Sequence, residues 1–314
     1  MHLEKKFFHH LRQKKLIKPG SSVLLAFSGG SDSVALFHLL KSVQQPLNIR
    51  FTLVYINHQL RETNALEEEF VRSFAEQEGV PLIIRTWMPT KVAVEENARK
   101  FRYATFQNAI ENGDFDTLVT AHHGDDLAEG VLMQLTRGNL PYRLATLSEK
   151  REFSTTTTLV RPLLPYSKRE LVEYCEQGGF EFIVDETNES QRYFRNRVRK
   201  HLLPRMKAEN PKILEQMTYL SETSRYVEEF LRKKVEEDFL SMQVGGKLEG
   251  LRGRSQAEQF VYLEFFFKKK EIYLGKEQVQ MLLNSLSGEQ FPKFVQISAN
   301  TRIKITKDAI EIVT

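Results

Sequence analysis

The feature that most constrains the fold of this chain is the junction inside the segment VLLAFSGGSDSVALFHLL, residues 23–40. Its first five residues are apolar and suit a buried strand. After the polar SGGSDS stretch, the apolar residues follow the 3.6-residue period of a helix. A strand that passes through a glycine loop directly into a helix is the local unit of an α/β fold. The segment therefore predicts a strand, a tight loop and a helix.

The loop between this strand and helix is a candidate phosphate site. Its two glycines allow close backbone approach and positive φ, and a helix N-terminus presents unpaired N–H groups and a partial positive charge that bind phosphate. Because the loop lacks the lysine of the GxxxxGK[ST] motif, N–H groups, hydroxyls and a metal would carry the charge, with Asp32 as the Mg²⁺ ligand. Alternatively, Ser31 or Asp32 is an ordinary N-cap. The candidate phosphate-binding residues are Ser28, Gly29, Gly30, Ser31, Asp32 and Ser33.

Strands and helices are predicted to alternate after this loop. The strands are predicted at 51–56, 81–87 and 117–121, and the helices at 65–79, 96–113 and 125–138. This alternation is typical of βαβ units and a parallel sheet flanked by helices. Ligands of such sheets lie beyond the carboxyl ends of the strands. SGGSDS, NHQLR (57–61) and AHHGDD (121–126) each follow a predicted strand, so we expect them to converge on one edge.

The length of 314 residues predicts two domains. Residues 139–158 are predicted to be a loop, and a helix is predicted to begin with Ser167 as its N-cap. Pro204 and Pro211 bracket a short basic link, which is followed by a long helical pattern to residue 240 and a tail of short strands. We therefore predict an α/β domain over residues 1–204 and a smaller, mainly helical domain with short C-terminal strands over residues 205–314.

The cysteine count and the terminus bear on the compartment. Cys175 is the only cysteine, which excludes an intrachain disulfide and a metal cluster built on cysteines of this chain. It follows the helical pattern of its neighbours, which favours a packed thiol over a nucleophile. The N-terminus resembles a basic amphipathic helix rather than a signal peptide, and no apolar run approaches membrane-spanning length. These features predict a cytoplasmic protein without membrane partners.

A second polar cluster occurs in AHHGDDLAE, residues 121–129. A zinc site is disfavoured because adjacent histidines rarely reach one tetrahedral metal and no HxxxH pattern is present. Two alternatives remain open: Asp125 caps a helix with a solvated acidic first turn, or the segment forms an acidic pocket for a cationic group or Mg²⁺. Asp126 and Glu129 are three residues apart and share a helix face. The position beside the phosphate loop favours the pocket.

Two groups of arginines are candidate anion sites. Arg99 and Arg102 lie on one predicted helix, where they either bind phosphate or form a solvated face. Residues 186–212 carry eight Lys or Arg against three Glu, a net charge of +5 that exceeds the +4 of the whole chain. Such a run suits a nucleic-acid backbone, although a solvated face is the common alternative. The arginines of interest there are Arg192, Arg195, Arg197 and Arg199.

SGGSDS resembles the PP-loop of the N-type ATP pyrophosphatases. Together with NHQLR, ARKFRY (98–103), TAHHGDD (120–126), RPLLPYSKREL (161–171) and DETNESQRYFRNRVR (185–199), it resembles the ordered motif set of the tRNA(Ile)-lysidine synthetases. The resemblance covers residues 20 to 205 approximately. It implies a cytoplasmic ligase that uses ATP and Mg²⁺ to join free L-lysine to C2 of the wobble cytidine of the isoleucine tRNA with a CAU anticodon, through an adenylated tRNA and with release of pyrophosphate and AMP.

The resemblance also implies residue roles. The loop residues Ser28 to Ser33 would bind ATP, and Asp32 would hold Mg²⁺. Asp126 and Glu129 would bind the substrate lysine, and Arg99 would stabilise phosphate charge, so Asp32, Asp126 and Arg99 would be the catalytic residues. The tRNA-binding residues would be Arg192, Arg195, Arg197 and Arg199. The oligomeric state stays open, and a homodimer is compatible with the sequence.

Two other functions compete with this one. A PP-loop tRNA thiolase that uses an iron–sulfur cluster or a persulfide needs more thiols than Cys175. A degenerate PP-loop protein that binds tRNA without chemistry is disfavoured by the intact SGGSDS and HHGDD stretches. Exchange of pyrophosphate into ATP, with and without tRNA, discriminates an enzyme from such a binding protein.

Overall fold

The computed structural model describes residues 2–57, 64–88, 94–184, 194–298 and 301–313. The chain divides into two compact units, Met1–Thr223 and Ser224–Thr314. The boundary separates the two compact parts of the chain, and it falls within a long helix. The sequence-based division at residue 205 assigns catalysis to one part and tRNA contact to the other, and it stays a prediction.

Eight α-helices, a 3₁₀ turn, a π-helical turn (Val198–Leu202) and six strands occur in the described part of the first unit, and a ninth α-helix begins in it. The helices are α1 (His2–Gln13), α2 (Ser31–Leu47), α3 (Asn64–Glu78), α4 (Val94–Glu111), α5 (Gly124–Thr136), α6 (Lys168–Gly178), α7 (Phe194–Arg197), α8 (Leu203–Glu209) and α9 (Ile213–Met242). The strands are β1 (Ser22–Ala26), β2 (Arg50–Asn57), β3 (Leu82–Thr86), β4 (Thr117–Val119), β5 (Lys150–Glu152) and β6 (Thr158–Val160).

The six strands form one sheet in the order β3-β2-β1-β4-β6-β5. All neighbours are parallel except β5, which pairs antiparallel with β6. In the centre of the sheet, Leu25 is in register with Leu53 of β2 and Val119 of β4. The predicted parallel sheet flanked by helices is confirmed.

Both faces of this sheet are buried, as parallel sheets require. Val23 and Leu25 of β1 belong to one apolar cluster, which includes residues of α1, α2 and α6. Leu24, which points to the opposite face because strand side chains alternate, belongs to another cluster with Phe106 and Ile110 of α4. The uninterrupted apolar run of β1 is therefore the consequence of helices on both sides.

The segment predicted as a loop over residues 139–158 is partly ordered, and that prediction is wrong in detail. It contains a 3₁₀ turn at Pro141–Arg143 and the strand β5, and β6 begins at its last residue. Strands of three residues are too short for a hydrophobic period to show. They form because β6 is paired with β4: the Thr158 N–H donates to the carbonyl of Asp116 at 3.0 Å. This pairing brings Arg161 to the carboxyl edge of the sheet.

The second unit contains the later part of α9, two further helices and a five-stranded antiparallel sheet of order β7-β8-β11-β10-β9. The FFFKKK stretch, residues 265–270, lies at the end of a helix, with Phe265 to Phe267 buried and the lysines exposed. Within the described ranges, neither unit has a helix with the length and apolar character needed to span a bilayer. The added elements are β7 (Gln243–Val244), β8 (Lys247–Glu249), α10 (Gln256–Lys269), α11 (Lys276–Leu286), β9 (Lys293–Ser298), β10 (Thr301–Ile305) and β11 (Ala309–Val313).

Candidate active site

The SGGSDS loop connects β1 to α2 and depends on glycine at its first turn. Gly29 has φ of +80°, which L side chains rarely adopt, and a Cβ there would lie 2.6 Å from Cδ1 of Ile183. The N–H of Ile183 donates to the carbonyl of Gly29 at 2.9 Å. Ile183 thus packs against the loop, and a side chain at Gly29 would be strained by the positive φ and would require Ile183 to move.

The hydroxyl groups of the loop form a local hydrogen-bond network at the start of α2. The Ser33 hydroxyl donates to the Gly30 carbonyl at 2.9 Å and accepts from the backbone N–H of Ser28 at 3.2 Å. The N-cap of α2 is Gly30, which has no side chain for capping. The alternative in which Ser31 or Asp32 serves as an ordinary N-cap is therefore wrong, because both residues lie in the first turn. The assignment of ATP to this loop's residues stays a prediction.

A lysine reaches the loop from elsewhere in the chain, and the sequence interpretation missed it. Lys168 is the first residue of α6, whose N-cap is Ser167 as predicted. The Lys168 ammonium lies 2.7 Å from Oγ of Ser31 and 2.7 Å from Oδ1 of Asp32. The loop therefore has the cation that its own motif lacks. The one available signal was the position of this lysine in PYSKREL, directly after a capping serine.

His123 connects this loop to the second polar cluster. Its Nε2 lies 3.5 Å from Oδ2 of Asp32 and 3.5 Å from Oδ2 of Asp126. Burial lowers the pKa of His123, but the hydrogen bond with Asp32 and the charges of Asp126, Asp32 and Asp125 outweigh it and raise the pKa above its ordinary value. Burial raises the pKa of Asp32, but His123 and Lys168 together hold it below its ordinary value. The imidazole and both carboxylates thus favour their charged forms.

Asp125 does not cap its own helix, so that alternative is wrong. The N-cap of α5 is His123, whose backbone N–H donates to Oδ2 of Asp126 at 3.1 Å. Asp125 instead accepts the N–H of Lys168 at 2.9 Å and contacts the ammonium of Lys207. An anion at the first N–H groups of a helix interacts favourably with its dipole. Asp125 therefore fixes the start of α6, and with it the backbone of Lys168.

Asp126 and Glu129 share a helix face as predicted, and two arginines cover them. Arg195 donates from Nε to Glu129 at 2.7 Å and from NH2 to Asp126 at 2.8 Å. Arg199 donates from Nε to Glu129 at 2.6 Å and from NH2 to Asp126 at 3.2 Å. The Glu129 side chain is 0% exposed. The cluster shows that the acidic pair accepts cationic groups, and here those groups belong to the chain itself.

The remaining predicted arginines lie in different settings. Arg192 lies outside the described residues, and so do residues 58–61 of the NHQLR motif. Arg195 and Arg199 contact Asp126 and Glu129 although their side chains are 41% and 37% exposed, while Arg197 is exposed beside Phe194. Arg99 lies over the ring of Tyr103, with its Cζ 5.7 Å from the ring centroid. The roles of all five arginines stay predictions.

The buried histidine and thiol near the loop fit structural roles. Burial lowers the pKa of His122 to about 4, and its Nδ1 lies 2.9 Å from the hydroxyl of Thr120. No group of three or more metal-ligating side chains occurs within the described ranges. The Cys175 thiol donates to the carbonyl of Ser31 at 3.4 Å, and burial raises its pKa to about 11. Cys175 is a packed thiol, as the sequence indicated, and it contacts the first residue of α2.

The fold and this loop define a class of proteins. A family model described as the PP-loop domain matches residues 2–206. Among solved structures, the tRNA thiolase NcsA of Methanococcus maripaludis superposes with a TM-score of 0.58 over 71% of this chain and 78% of that chain. At 17% sequence identity this likeness concerns the fold alone. The chain has the PP-loop architecture.

Three similar sequences narrow the class to one family. The tRNA(Ile)-lysidine synthase of Enterococcus faecalis is 34% identical over 91% of this chain and 64% of its own length. The enzymes of that name from Streptococcus equi subsp. zooepidemicus and Lactococcus lactis subsp. lactis are 35% and 30% identical over 88% and 97% of this chain. This chain belongs to the tRNA(Ile)-lysidine synthase family. It spans 64%, 62% and 70% of the lengths of these three relatives, in that order.

Proposed function

We propose that this chain catalyses the ATP-dependent ligation of L-lysine to C2 of the wobble cytidine in the isoleucine tRNA with a CAU anticodon, the reaction that the family name implies. The observation that carries the proposal is the position of His123, which lies 3.5 Å from the loop carboxylate of Asp32 and 3.5 Å from Asp126. A phosphate loop and a pocket for a cation are therefore adjacent. A two-step ligase that activates one substrate with ATP and then admits an amine requires both.

In the first step, O2 of the cytidine attacks the α-phosphorus of ATP and pyrophosphate leaves. The carbonyl oxygen is a poor leaving group, and adenylation converts it into AMP. The N–H groups at the start of α2 and the ammonium of Lys168 would neutralise the phosphates, since preorganised donors stabilise charge that develops in a transition state. Arg99 would contribute further positive charge in this step.

Asp32 fits the requirements of a Mg²⁺ ligand. Mg²⁺ in phosphate-transfer sites is held by one or two carboxylates together with phosphate oxygens and waters. Asp32 is a half-buried carboxylate whose pKa is held below its ordinary value by His123 and Lys168, although burial raises it. When bound, the metal would neutralise charge on the phosphates. The carboxylate is ionised at neutral pH and lies at the start of the helix that would hold those phosphates.

In the second step, the ε-ammonium of lysine gives a proton to a carboxylate of the acidic pair or to water. The amine then attacks C2, the bond between C2 and O2 breaks, and AMP leaves. Asp126 and Glu129 would bind the substrate ammonium in place of the arginines that now contact them. Burial raises the pKa of Asp126, but the positive charges of His123 and Arg195 outweigh it and lower the pKa. A carboxylate of this kind stays ionised and suits binding of a cation. The carboxylates would orient the amine, and the exposed Arg197 and the rest of the basic run would contact tRNA.

The direct test is incubation of the protein with ATP, labelled lysine and an unmodified CAU isoleucine tRNA, followed by nucleoside analysis. We expect a labelled lysidine nucleoside, with one AMP and one pyrophosphate formed per lysine incorporated. Omission of ATP should abolish incorporation, and a methionine tRNA should serve as a poor substrate. ATP cleavage with tRNA but no lysine incorporation would contradict the proposal and indicate another tRNA modification.

The lysine pocket is tested by Asp126→Asn, which keeps the shape of the side chain and removes its charge. We expect lysine transfer to fall by about tenfold to a hundredfold, because a charged hydrogen bond is worth about 1.5–3 kcal/mol, while formation of the adenylated tRNA falls much less. The two steps are separated by measuring pyrophosphate release without lysine and lysidine formation with it. An equal loss in both steps would assign Asp126 to the nucleotide instead.

A further inference from the structure

A second group of cationic side chains surrounds Tyr103, away from the loop. The Cζ atoms of Arg99 and Arg151 lie 5.7 Å and 5.9 Å from the centre of the Tyr103 ring. The ring of Phe153 stacks on Tyr103 with a centroid separation of 6.0 Å. Arg161 is electrostatically coupled to the same phenol. We call Tyr103, Arg151 and Arg161 the Tyr103 cluster, with Arg99 at its rim.

Arg161 is the unusual member of this cluster. Arg161 is only 4% exposed, and its NH1 donates to the carbonyl of Ser148 at 2.8 Å. Its Nε is buried and has no hydrogen-bond partner within the described part of the chain. A buried charge is costly unless it is paired and hydrogen-bonded. The guanidinium thus has one buried donor that no described residue of the chain accepts from.

The Tyr103 cluster also lacks negative charge. Among the described residues, no carboxylate forms an ion pair with Arg99, Arg151 or Arg161. Burial raises the pKa of Tyr103, yet the arginines, with Arg151 the foremost, hold it below its ordinary value. Burial and the neighbouring arginines lower the pKa of Arg161. The surroundings therefore have an excess of positive charge that an anion would offset.

The location of the cluster separates it from the phosphate loop. Arg161 follows β6 directly, and β6 is two strands away from β1, which leads into the loop. Neighbouring strands lie about 4.8 Å apart, so the two strand ends are about 10 Å apart at the same edge of the sheet. The loop has Lys168 for the phosphates of ATP. The end of β6 is therefore far enough from the loop to receive an anion other than the phosphates held there.

We propose that the Tyr103 cluster is a binding site for one backbone phosphate of the RNA substrate. Arginine presents a planar fork that matches phosphate oxygens, and the Nε of Arg161 is the donor that such a phosphate completes. The Tyr103 hydroxyl and the guanidinium of Arg151 supply the remaining donors. The site sits beside the loop, so it would position a nucleotide whose base enters the active site. This inference rests on the proposed tRNA substrate.

The test measures RNA binding without turnover, using the unmodified CAU isoleucine tRNA and its isolated anticodon stem-loop. The variants are Arg151→Ala, which changes an exposed side chain, and Arg161→Lys, which keeps the charge but removes Nε and the fork. The matched control is Arg12→Ala, because Arg12 is also exposed and lies over an aromatic ring, that of Phe8, at 5.7 Å. Each variant is compared with wild type at several salt concentrations.

We expect Arg151→Ala and Arg161→Lys to weaken binding of both RNAs by about fivefold to twentyfold, and Arg12→Ala to leave it within twofold. Loss of one phosphate contact should reduce the slope of log affinity against log salt by about 0.7–0.9 for Arg151→Ala. A stem-loop with one neutral methylphosphonate at the contacted position should bind wild type as weakly as the variant binds normal RNA. That substitution should have no further effect on Arg151→Ala.

Three outcomes would overturn the inference. Unchanged RNA affinity in both variants would leave Arg161 with a purely structural role. Unchanged RNA affinity with a raised KM for ATP would assign the cluster to a phosphate of ATP. A loss that no single methylphosphonate reproduces would indicate diffuse attraction instead of a site. A wild-type protein that binds the RNA but forms no lysidine would contradict the proposed function and leave this inference intact.

Discussion

Replacing Arg195 and Arg199 together with alanine is expected to lower the free energy of unfolding by about 3–5 kcal/mol. The reason is that Glu129 is fully buried and its carboxylate is paired with these two side chains. Removal of the partners of a buried ion pair leaves an uncompensated charge, which typically costs about this amount. The free energy is measured by urea denaturation monitored by circular dichroism and tryptophan fluorescence.

The matched control for this variant is Arg197→Ala, which removes an exposed arginine that lies between the two in the chain, at the end of α7. We expect it to change stability by less than about 0.5 kcal/mol. Addition of Glu129→Gln to the double variant should restore part of the lost stability, because the buried charge is then absent. A loss below about 1 kcal/mol in the double variant would contradict this account and indicate that Arg195 and Arg199 leave the acidic pair easily.

Replacing Asp32 with asparagine is expected to reduce ATP cleavage by about a thousandfold or more, measured as pyrophosphate release with tRNA present. The change removes the charge around which Lys168 and His123 are oriented. It also removes the carboxylate proposed to hold Mg²⁺. Loss of a ligand to a metal that neutralises phosphate charge costs several kcal/mol of transition-state stabilisation. Each 1.4 kcal/mol corresponds to about tenfold in rate.

The control is Asp116→Asn at the opposite edge of the same sheet. Asp116 precedes β4, and its Oδ2 accepts the N–H of Ser22 at 3.1 Å. It carries the same carboxylate group as Asp32 but lies away from the loop. We expect pyrophosphate release by Asp116→Asn to stay within about twofold of the wild-type rate, since surface changes away from the site have small effects. A similar loss in both variants would show that Asp32 acts on folding rather than on ATP.

Lys168→Ala extends the same prediction to the residue that the sequence interpretation missed. Removal of a preorganised donor to a developing charge typically costs about a hundredfold to a thousandfold in rate. The neighbouring Arg169→Ala is the control, because Arg169 is exposed and pairs only with Glu173 among the described residues. Wild-type pyrophosphate release by Lys168→Ala would mean that this lysine merely neutralises Asp32 in the absence of substrate.

Local patterns were sufficient to predict the longer helices and strands of the first unit. The apolar run that ends in SGGSDS, the helical periods and the capping serine at Ser167 each concern neighbours along the chain, and β1, α2 and α6 form as predicted. The conformation of a strand, a tight turn or a capped helix depends mainly on residues within a few positions. The family resemblance also rested on short motifs in a given order. The PP-loop match over residues 2–206 and the similarity to tRNA(Ile)-lysidine synthases confirm it.

Only the tertiary structure decided which side chains meet. The contact between Lys168 and Asp32 joins residues 136 positions apart, and the contact between Arg199 and Glu129 joins residues 70 positions apart. The sequence analysis considered only tRNA or solvent as the surroundings of Arg195 and Arg199, since a charge run carries no information about a distant carboxylate. Side-chain partners depend on the order of strands in the sheet, which brings the ends of β1, β4 and β6 together. That order is a long-range property, because each strand pairs through backbone groups that are the same in every residue.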